Sequence, residues 1–337
     1  MKVMLIGGTG LLGFETAKIL AKNNHKIISF ALPPKPKYLD IPKNMELILE
    51  NYTNIKDEDL LKYMKGCEGL VFAAGIDERV EGPKPIYDLY YQHNIQPLKR
   101  LLPLAKKAGI KNVVILGSYF SYFNKIWPEL ELEKHHPYIK SRVDQEKLAF
   151  SFVDTNFNVA VVEIPYVFGI QEGRQPVWTI LVGEILKMKR RTYWTKGGTT
   201  MITARQAGEA IYGALMKNKG ANSYPIGYYN MTWTEMLEIF HEALDRKKHK
   251  ITIIPNFLYK IYARKLTRIN NKNNIESGLN LIKFSDLQSK KQFIDPEISV
   301  KLGVTPDDIR KEIINSVTLS REVLIKKDLK LTKMKYE

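Results

Sequence analysis

The sequence predicts an α/β fold: a doubly wound parallel sheet with a smaller C-terminal α+β region. Three observations predict it. Six short apolar runs alternate with helical patterns through the first half of the 337 residues, the rhythm of parallel strands joined by crossover helices. A glycine-rich turn, Gly7-Gly8-Thr9-Gly10-Leu11-Leu12-Gly13, stands between the first run and the first helical pattern. After Pro165 the alternation stops and helices separated by isolated turns take over.

In chain order, residues 2–7 read as the first strand, and the glycine turn then opens a helix lasting to Lys22. Residues 26–31 form the second strand, closed by the breaker Pro33-Pro34-Lys35-Pro36. Residues 46–50 and 70–74 follow as strands three and four, the latter ending at Gly75. A long helical stretch covers 86–107, interrupted near Pro97 and Pro103. Residues 113–116 make the fifth strand, running into Gly117-Ser118, and a helix begins near Tyr138. Residues 159–164 are the sixth strand. Strands two, four, five and six are nearly all apolar, as strands covered on both faces must be.

Beyond Pro165, residues 178–188 read as a helix and Gly197-Gly198 as a turn. Residues 204–217 form a helix whose small residues suit packing on the sheet. Residues 234–244 form another, N-capped by Thr232 or Thr234. Residues 256–269 are a basic, aromatic helix. The expected division is a nucleotide-binding domain of 1–165 and 203–218, a substrate-binding region of 166–202 and 219–320, and a basic tail of 321–337.

The formal charge of +16 raises the question of a nucleic-acid or anionic-membrane partner. The lysines are scattered, with one local concentration at Lys326, Lys327, Lys330, Lys333 and Lys335. No nucleic-acid-binding motif accompanies them, so a nucleic-acid partner is not expected. No apolar run approaches the roughly 20 residues that span a bilayer. The single cysteine, Cys67, excludes an internal disulfide, and a cytoplasmic location is expected. Six histidines without a paired spacing give no metal site, and no Gly-x-Ser-x-Gly nucleophile elbow is present.

The glycines at 7, 10 and 13 each answer a physical need. One permits the tight turn, one lets backbone approach a pyrophosphate, and one lets helix and strand pack closely. A helix N-terminus then presents free N–H groups to the phosphates. The expected cofactor is NAD(P), held on a Rossmann domain.

These residues resemble the glycine loop of the extended short-chain dehydrogenase/reductase family, the nucleoside-sugar epimerase/dehydratase group. The likeness continues at Ala73-Ala74-Gly75, Asn94, Gly117-Ser118, Tyr138 with Arg142, and Ile164-Pro165-Tyr166-Val167-Phe168-Gly169. It also reaches Asp295-Pro296 and 302–306 near the end of the chain. The resemblance implies cofactor contacts from Gly7, Gly10, Leu11, Leu12 and Gly13. It adds Leu32, Lys35 and Asn51 at the adenosine end, and Ala73, Ala74, Gly75 and Asn94 near the centre. Tyr138, Arg142, Pro165 and Val167 complete the set at the nicotinamide end. Where NAD-preferring sites place a carboxylate after the second strand, this chain has Ala31. Lys35 and Lys37 lie close by, which tilts the expectation toward NADP.

The resemblance further implies a catalytic set of Ser118, Tyr138 and Arg142. Family members use a tyrosine for the hydroxyl proton, a lysine one helical turn on and a serine at the substrate oxygen. A phenol with an ordinary pKa of about 10 needs a nearby cation to work near neutrality, and i,i+4 spacing supplies one on the same helix face. Here that cation is Arg142. If Arg142 instead pairs with Glu146, Tyr138 is only a pocket wall. Tyr119 and Phe120 stand where dehydratases of the group carry an Asp-Glu pair, which favours a reductase or epimerase. Glu163 replaces the arginine usual before the proline. Trp178, Lys187, Lys189, Arg190, Arg191 and Trp194 fall in the substrate segment and suit a nucleotide diphosphate.

The expected function is hydride transfer on a sugar-like, nucleotide-linked, alcohol or ketone substrate. A non-catalytic NAD(P)-binding regulator is the alternative, with an RNA-associated member behind it. A homodimer is a possible assembly.

Overall fold

The computed structural model describes residues 1–326 and 331–333. Lys327, Lys330 and Lys335 of the basic tail lie outside the described residues. Seven strands form one parallel sheet: β1 (Lys2–Ile6), β2 (Lys26–Ala31), β3 (Met45–Leu49), β4 (Gly69–Phe72), β5 (Asn112–Ser118), β6 (Asn158–Ile164) and β7 (Ala221–Pro225). Their spatial order is β3-β2-β1-β4-β5-β6-β7. The order reverses between β1 and β4, and the crevice beyond those two strand ends is where such sheets bind ligands. This is the Rossmann architecture the sequence predicts, extended by β7, a polar edge strand the sequence analysis does not identify.

The strands are apolar throughout because both faces are covered. Met4, Ile6, Phe30, Phe72 and Ile115 pack on one side against Leu98, Leu101 and Leu102 of the helix Gln96–Lys107. Val3, Leu5, Val71, Val114 and Val162 pack on the other against Ala207, Ile211 and Leu215. The labelled helices are α1 (Leu11–Lys22), α2 (Pro137–Phe150), α3 (Ala204–Lys217), α4 (Asn256–Lys272) and α5 (Ile309–Ile325). α3 starts at a capping box in which Thr203 and Gln206 satisfy each other's backbone N–H groups. Its Gly208 lies against α1 so closely that a Cβ would stand 3.0 Å from the Glu15 carbonyl carbon.

A second lobe surrounds the strand Gly198–Thr203, which pairs with Tyr166–Phe168, Tyr229–Thr232 and Lys291–Gln292. Its core holds Phe168, Trp233, Phe240, Ile313 and Val317. Two expectations are corrected here. Trp178 stacks on Phe168 at 4.2 Å and 3°, and Trp194 meets Trp233 edge-on. Both belong to this core instead of lining a substrate segment. The supposed tail from 321 begins inside α5, which continues to Ile325. Thr232, not Thr234, caps the helix Trp233–Ala243.

The chain passes between the lobes repeatedly. It leaves the sheet at Pro165, returns for α3 and β7, leaves again, and comes back at Leu302 and Val304 in the sheet's core before α5 rejoins the second lobe. No helix among the described residues is long and apolar enough to cross a membrane.

Candidate active site

The turn after β1 is forced by contacts that only glycine tolerates. Gly7 has φ +92°, and a Cβ there would stand 2.7 Å from the Ala73 carbonyl oxygen. A Cβ on Gly13 would stand 2.3 Å from the Gly7 carbonyl oxygen. The backbone can therefore fold tightly against the Ala73-Ala74 segment beyond β4. Gly10 is the N-cap of α1, and no acidic residue occupies the first turn. Leu11 and Leu12 open the helix, whose first turn carries no side-chain cap and so leaves N–H groups free to meet an anion.

An arm from the second lobe covers this loop. Gln171 Nε2 and Arg174 Nη2 donate to the Thr9 carbonyl at 2.9 and 3.1 Å. The Gln171 Oε1 and Arg174 Nε atoms are buried without a partner among the described residues. Gly173, at φ +71°, rests on the backbone of Lys37, which ties the arm to the proline-rich loop after β2. The donor set fits a dinucleotide pyrophosphate: a glycine cradle, a helix start and an arginine with an unused N–H. Neither Gln171 nor Arg174 is singled out by the sequence, because only the fold brings them to a loop some 160 positions earlier.

On the other side of the cradle, β2 stops at Ala31 and Leu32 is exposed. Lys35 donates to the Leu39 carbonyl at 3.1 Å, and Lys37 sits 4.8 Å above the Tyr38 ring. Asn51 uses its Oδ1 to accept from the Thr53 amide and hydroxyl. Asn94 lies in a π-helical turn, Tyr91–Ile95, and clamps Ile76 by accepting from its amide and donating to its carbonyl. Gly75, at φ +123°, allows that clamp, since a Cβ would stand 2.5 Å from Asn94 Oδ1. The hydrogen bonds of Asn94 thus shape the loop after β4. Pro165 is buried, and the Val167 carbonyl accepts from the Trp178 indole at 2.9 Å.

Ser118, Tyr138 and Arg142 converge at the ends of β4 and β5. Ser118 is buried at the end of β5, where its hydroxyl also accepts from the Phe120 amide. Tyr138 is 4% exposed and stands in the first turn of α2, its ring edge-on to Tyr90 and Phe120. Burial raises its phenol above the ordinary value of 10.0; the Arg142 charge opposes this, Glu78 adds to the rise, and a hydrogen bond with Ser118 opposes it. Arg142 donates to the Ile76 carbonyl at 2.9 Å, the Leu116 carbonyl at 3.2 Å and Gln145 Oε1 at 3.0 Å. Its Nε is buried without a partner among the described residues.

The alternative pairing of Arg142 with Glu146 does not form among the described residues. Lys125 takes Glu146 at 2.6 Å and reaches Glu163 at 3.3 Å. Glu163 is fully buried, and its burial lifts the carboxyl from 4.5 to about 8, with Lys125 opposing the rise and Glu146 reinforcing it.

The loop after β4 contributes a polar cluster missed by the sequence analysis. Arg79 donates through Nε to Asp77 Oδ1 at 2.9 Å, through Nη2 to Asp77 Oδ2, and through Nη1 to the Val177 carbonyl at 2.9 Å. Burial pushes the Asp77 carboxyl up, but the Arg79 contacts outweigh it and leave it below the ordinary carboxylate value. Burial, and then the Asp77 charge, raises Glu78. Glu78 and Arg79 line a cavity of about 250 Å³ with Phe120, Tyr166, Tyr259 and Phe284. Phe120 lines this cavity and also packs edge-on against the Tyr138 ring, 6.4 Å between centroids.

The sequence profile of the NAD dependent epimerase/dehydratase family matches residues 3–227. The chain is similar to a protein of Bacillus subtilis (strain 168) named "Uncharacterized UDP-glucose epimerase YtcB", 24% identical over 211 residues, which cover 58% of this chain and 66% of that relative. That is just under two thirds of the relative's length. Among solved structures, gox2253 superposes with a TM-score of 0.74 at 16% identity, covering 96% of this chain and 98% of its own. A UDP-glucuronic acid 4-epimerase from Bacillus cereus, solved in complex with NAD, superposes with a TM-score of 0.67 at 15% identity, covering 97% of this chain and 99% of its own. These two establish the shared fold. With the glycine cradle, the strand order and the profile match over two thirds of the sequence, the chain belongs to the NAD-dependent epimerase/dehydratase family.

Proposed function

We propose that this protein is an NAD(P)-dependent oxidoreductase or epimerase acting at a hydroxyl- or carbonyl-bearing carbon of a sugar-like substrate. The observation that carries the proposal is the convergence of Ser118, Tyr138 and Arg142 at the strand ends beside the glycine cradle. In this reading the pyrophosphate lies on Gly7–Gly13, with Arg174 and Gln171 over it. The nicotinamide end lies toward Ala74, Tyr138, Arg142 and Val167. The cofactor, when bound, supplies the hydride acceptor or donor. Ser118 holds the substrate oxygen, and Tyr138 moves the proton on that oxygen. Because burial keeps the phenol protonated at neutrality, Tyr138 is poised to donate to a carbonyl oxygen, the reducing direction.

The nucleotide-sugar epimerases among the similar proteins support a nucleotide-linked sugar as the substrate class, for which the Glu78–Arg79 cavity supplies hydrogen-bonding groups. The absence of a carboxylate after Ala31 supports NADP(H) over NAD(H). The test is to titrate both cofactors by calorimetry, then follow cofactor oxidation and sugar interconversion over a panel of UDP-sugars and their keto forms. Turnover with any of them supports the proposal. Tight cofactor binding with no turnover across the panel overturns it in favour of a binding protein. That second reading has its own observation: Arg142 spends two of its N–H groups on backbone carbonyls.

A further inference from the structure

Helix α4 exposes apolar side chains that a protein surface ordinarily hides. Of its 17 residues only Ala263 is buried. Phe257 is 62% exposed, Leu258 43%, Ile261 56% and Tyr262 56%. Ile253, four residues before Phe257, is exposed as well. Scattered single apolar residues on a surface need no partner, but a contiguous group of this size does.

The same helix is strongly basic. It carries Lys260, Arg264, Lys265, Arg268 and Lys272, and no acidic residue occurs between Asp245 and Glu276. Lys260 is neutralised by Asp286 at 2.7 Å. Arg264, Lys265, Arg268 and Lys272 have no salt-bridge partner among the described residues. At 3.6 residues per turn the apolar group covers the outer side of the first two turns, and the four cations, with exposed Ile269 beside them, cover the outer side of the later turns. The inner side is occupied: Tyr259 lines the Glu78–Arg79 cavity and Ala263 is packed.

We propose that α4 docks this protein on an anionic lipid bilayer, with Phe257, Leu258, Ile261 and Tyr262 entering the headgroup region and the four unpaired cations meeting lipid phosphates. A basic amphipathic helix with an aromatic and aliphatic outer face has the composition that binds such a surface. Charge complementarity selects this occupant. A second copy meeting α4 with α4 would bring two acid-free basic helices together. A nucleic acid would satisfy the cations but leave the aliphatic Ile253, Leu258 and Ile261 without a partner.

The experiment is flotation of the full chain with vesicles of phosphatidylcholine alone and of phosphatidylcholine mixed with phosphatidylglycerol. The expected result is flotation with the mixed vesicles only, weakened by salt. The double variant Phe257→Gln/Ile261→Gln should lose at least about tenfold in affinity, and so should Arg264→Glu/Lys265→Glu. These positions are exposed, so thermal melting should be unchanged and fold loss is not an explanation. No flotation of the wild type, or equal flotation of the glutamine variant, overturns the proposal. So does a wild-type dimer that the glutamine variant converts to a monomer, or RNA retention that the glutamine variant leaves unaltered.

Discussion

The guanidinium of Arg142 lies over the face of the Tyr138 ring, 5.2 Å from its centre and one helical turn along α2. It makes no hydrogen bond to the hydroxyl among the described residues. The charge stabilises the phenolate through space, while its N–H groups tie the loop after β4 to the end of β5.

Replacing Tyr138 with Phe should remove turnover and leave cofactor affinity nearly constant, as measured by steady-state kinetics beside calorimetry. The raised phenol also sets a pH dependence. The reductive rate should stay flat through neutrality and fall only above the ordinary tyrosine value, while the oxidative rate climbs over that same range. A reductive limb that titrates below that value would count against Tyr138 as the proton donor.

Arg142→Lys keeps the charge but not the fork. One ammonium cannot serve Ile76, Leu116 and Gln145 together, so buried acceptors lose their donors. The expected cost is about 1–3 kcal/mol in unfolding free energy, read from denaturant titration. Turnover per folded molecule should hold or rise. A variant as stable as the wild type would show that these bonds contribute little.

Gly13→Val should abolish dinucleotide binding in calorimetry. Even a single Cβ at that position overlaps the Gly7 carbonyl, so the cradle must open for any side chain. Gly66→Val is the control, since a Cβ there meets nothing within 4 Å. Its positive φ of 74° makes some loss of stability expected without loss of binding.

Glu163 should make the fold less stable as pH rises. Its carboxyl is near 8 in the folded chain against 4.5 ordinarily. The unfolded chain therefore releases this proton first, and stability falls between those two values. The loss is at most about 1.4 kcal/mol per pH unit. Glu163→Gln should flatten thermal melting across that window and raise the melting temperature at its alkaline end. An unchanged slope would show that Lys125 already holds the carboxylate ionised.

Glu78→Gln should raise KM for the substrate by about tenfold with little change in cofactor affinity. An unchanged KM would place the substrate outside the Glu78–Arg79 cavity.

The sheet was legible in the sequence because its strands are covered on both faces and read as unbroken apolar runs. β7 was not, since Asn222, Ser223 and Pro225 on an edge strand carry no such pattern. The glycine cradle was legible because backbone sterics demand glycine at fixed spacing. Asp77, Glu78 and Arg79 were not, because a charged triplet after a strand reads as solvated loop. Residues far along the chain, Tyr166, Tyr259 and Phe284, cover it. Trp178 and Trp194 illustrate the converse. Aromatic residues in a substrate segment look alike whether they face a ligand or a core, and only packing tells them apart.

The repeated passage of the chain between the lobes governs how the molecule can be cut and how it can bend. No single proteolytic nick releases the second lobe as a separate piece, since several covalent connections join it to the sheet. Any opening of the cleft has to rotate about an axis running close to all of those connections at once. That restricts it to a shallow rocking, with its largest displacement at the loops farthest from the seam.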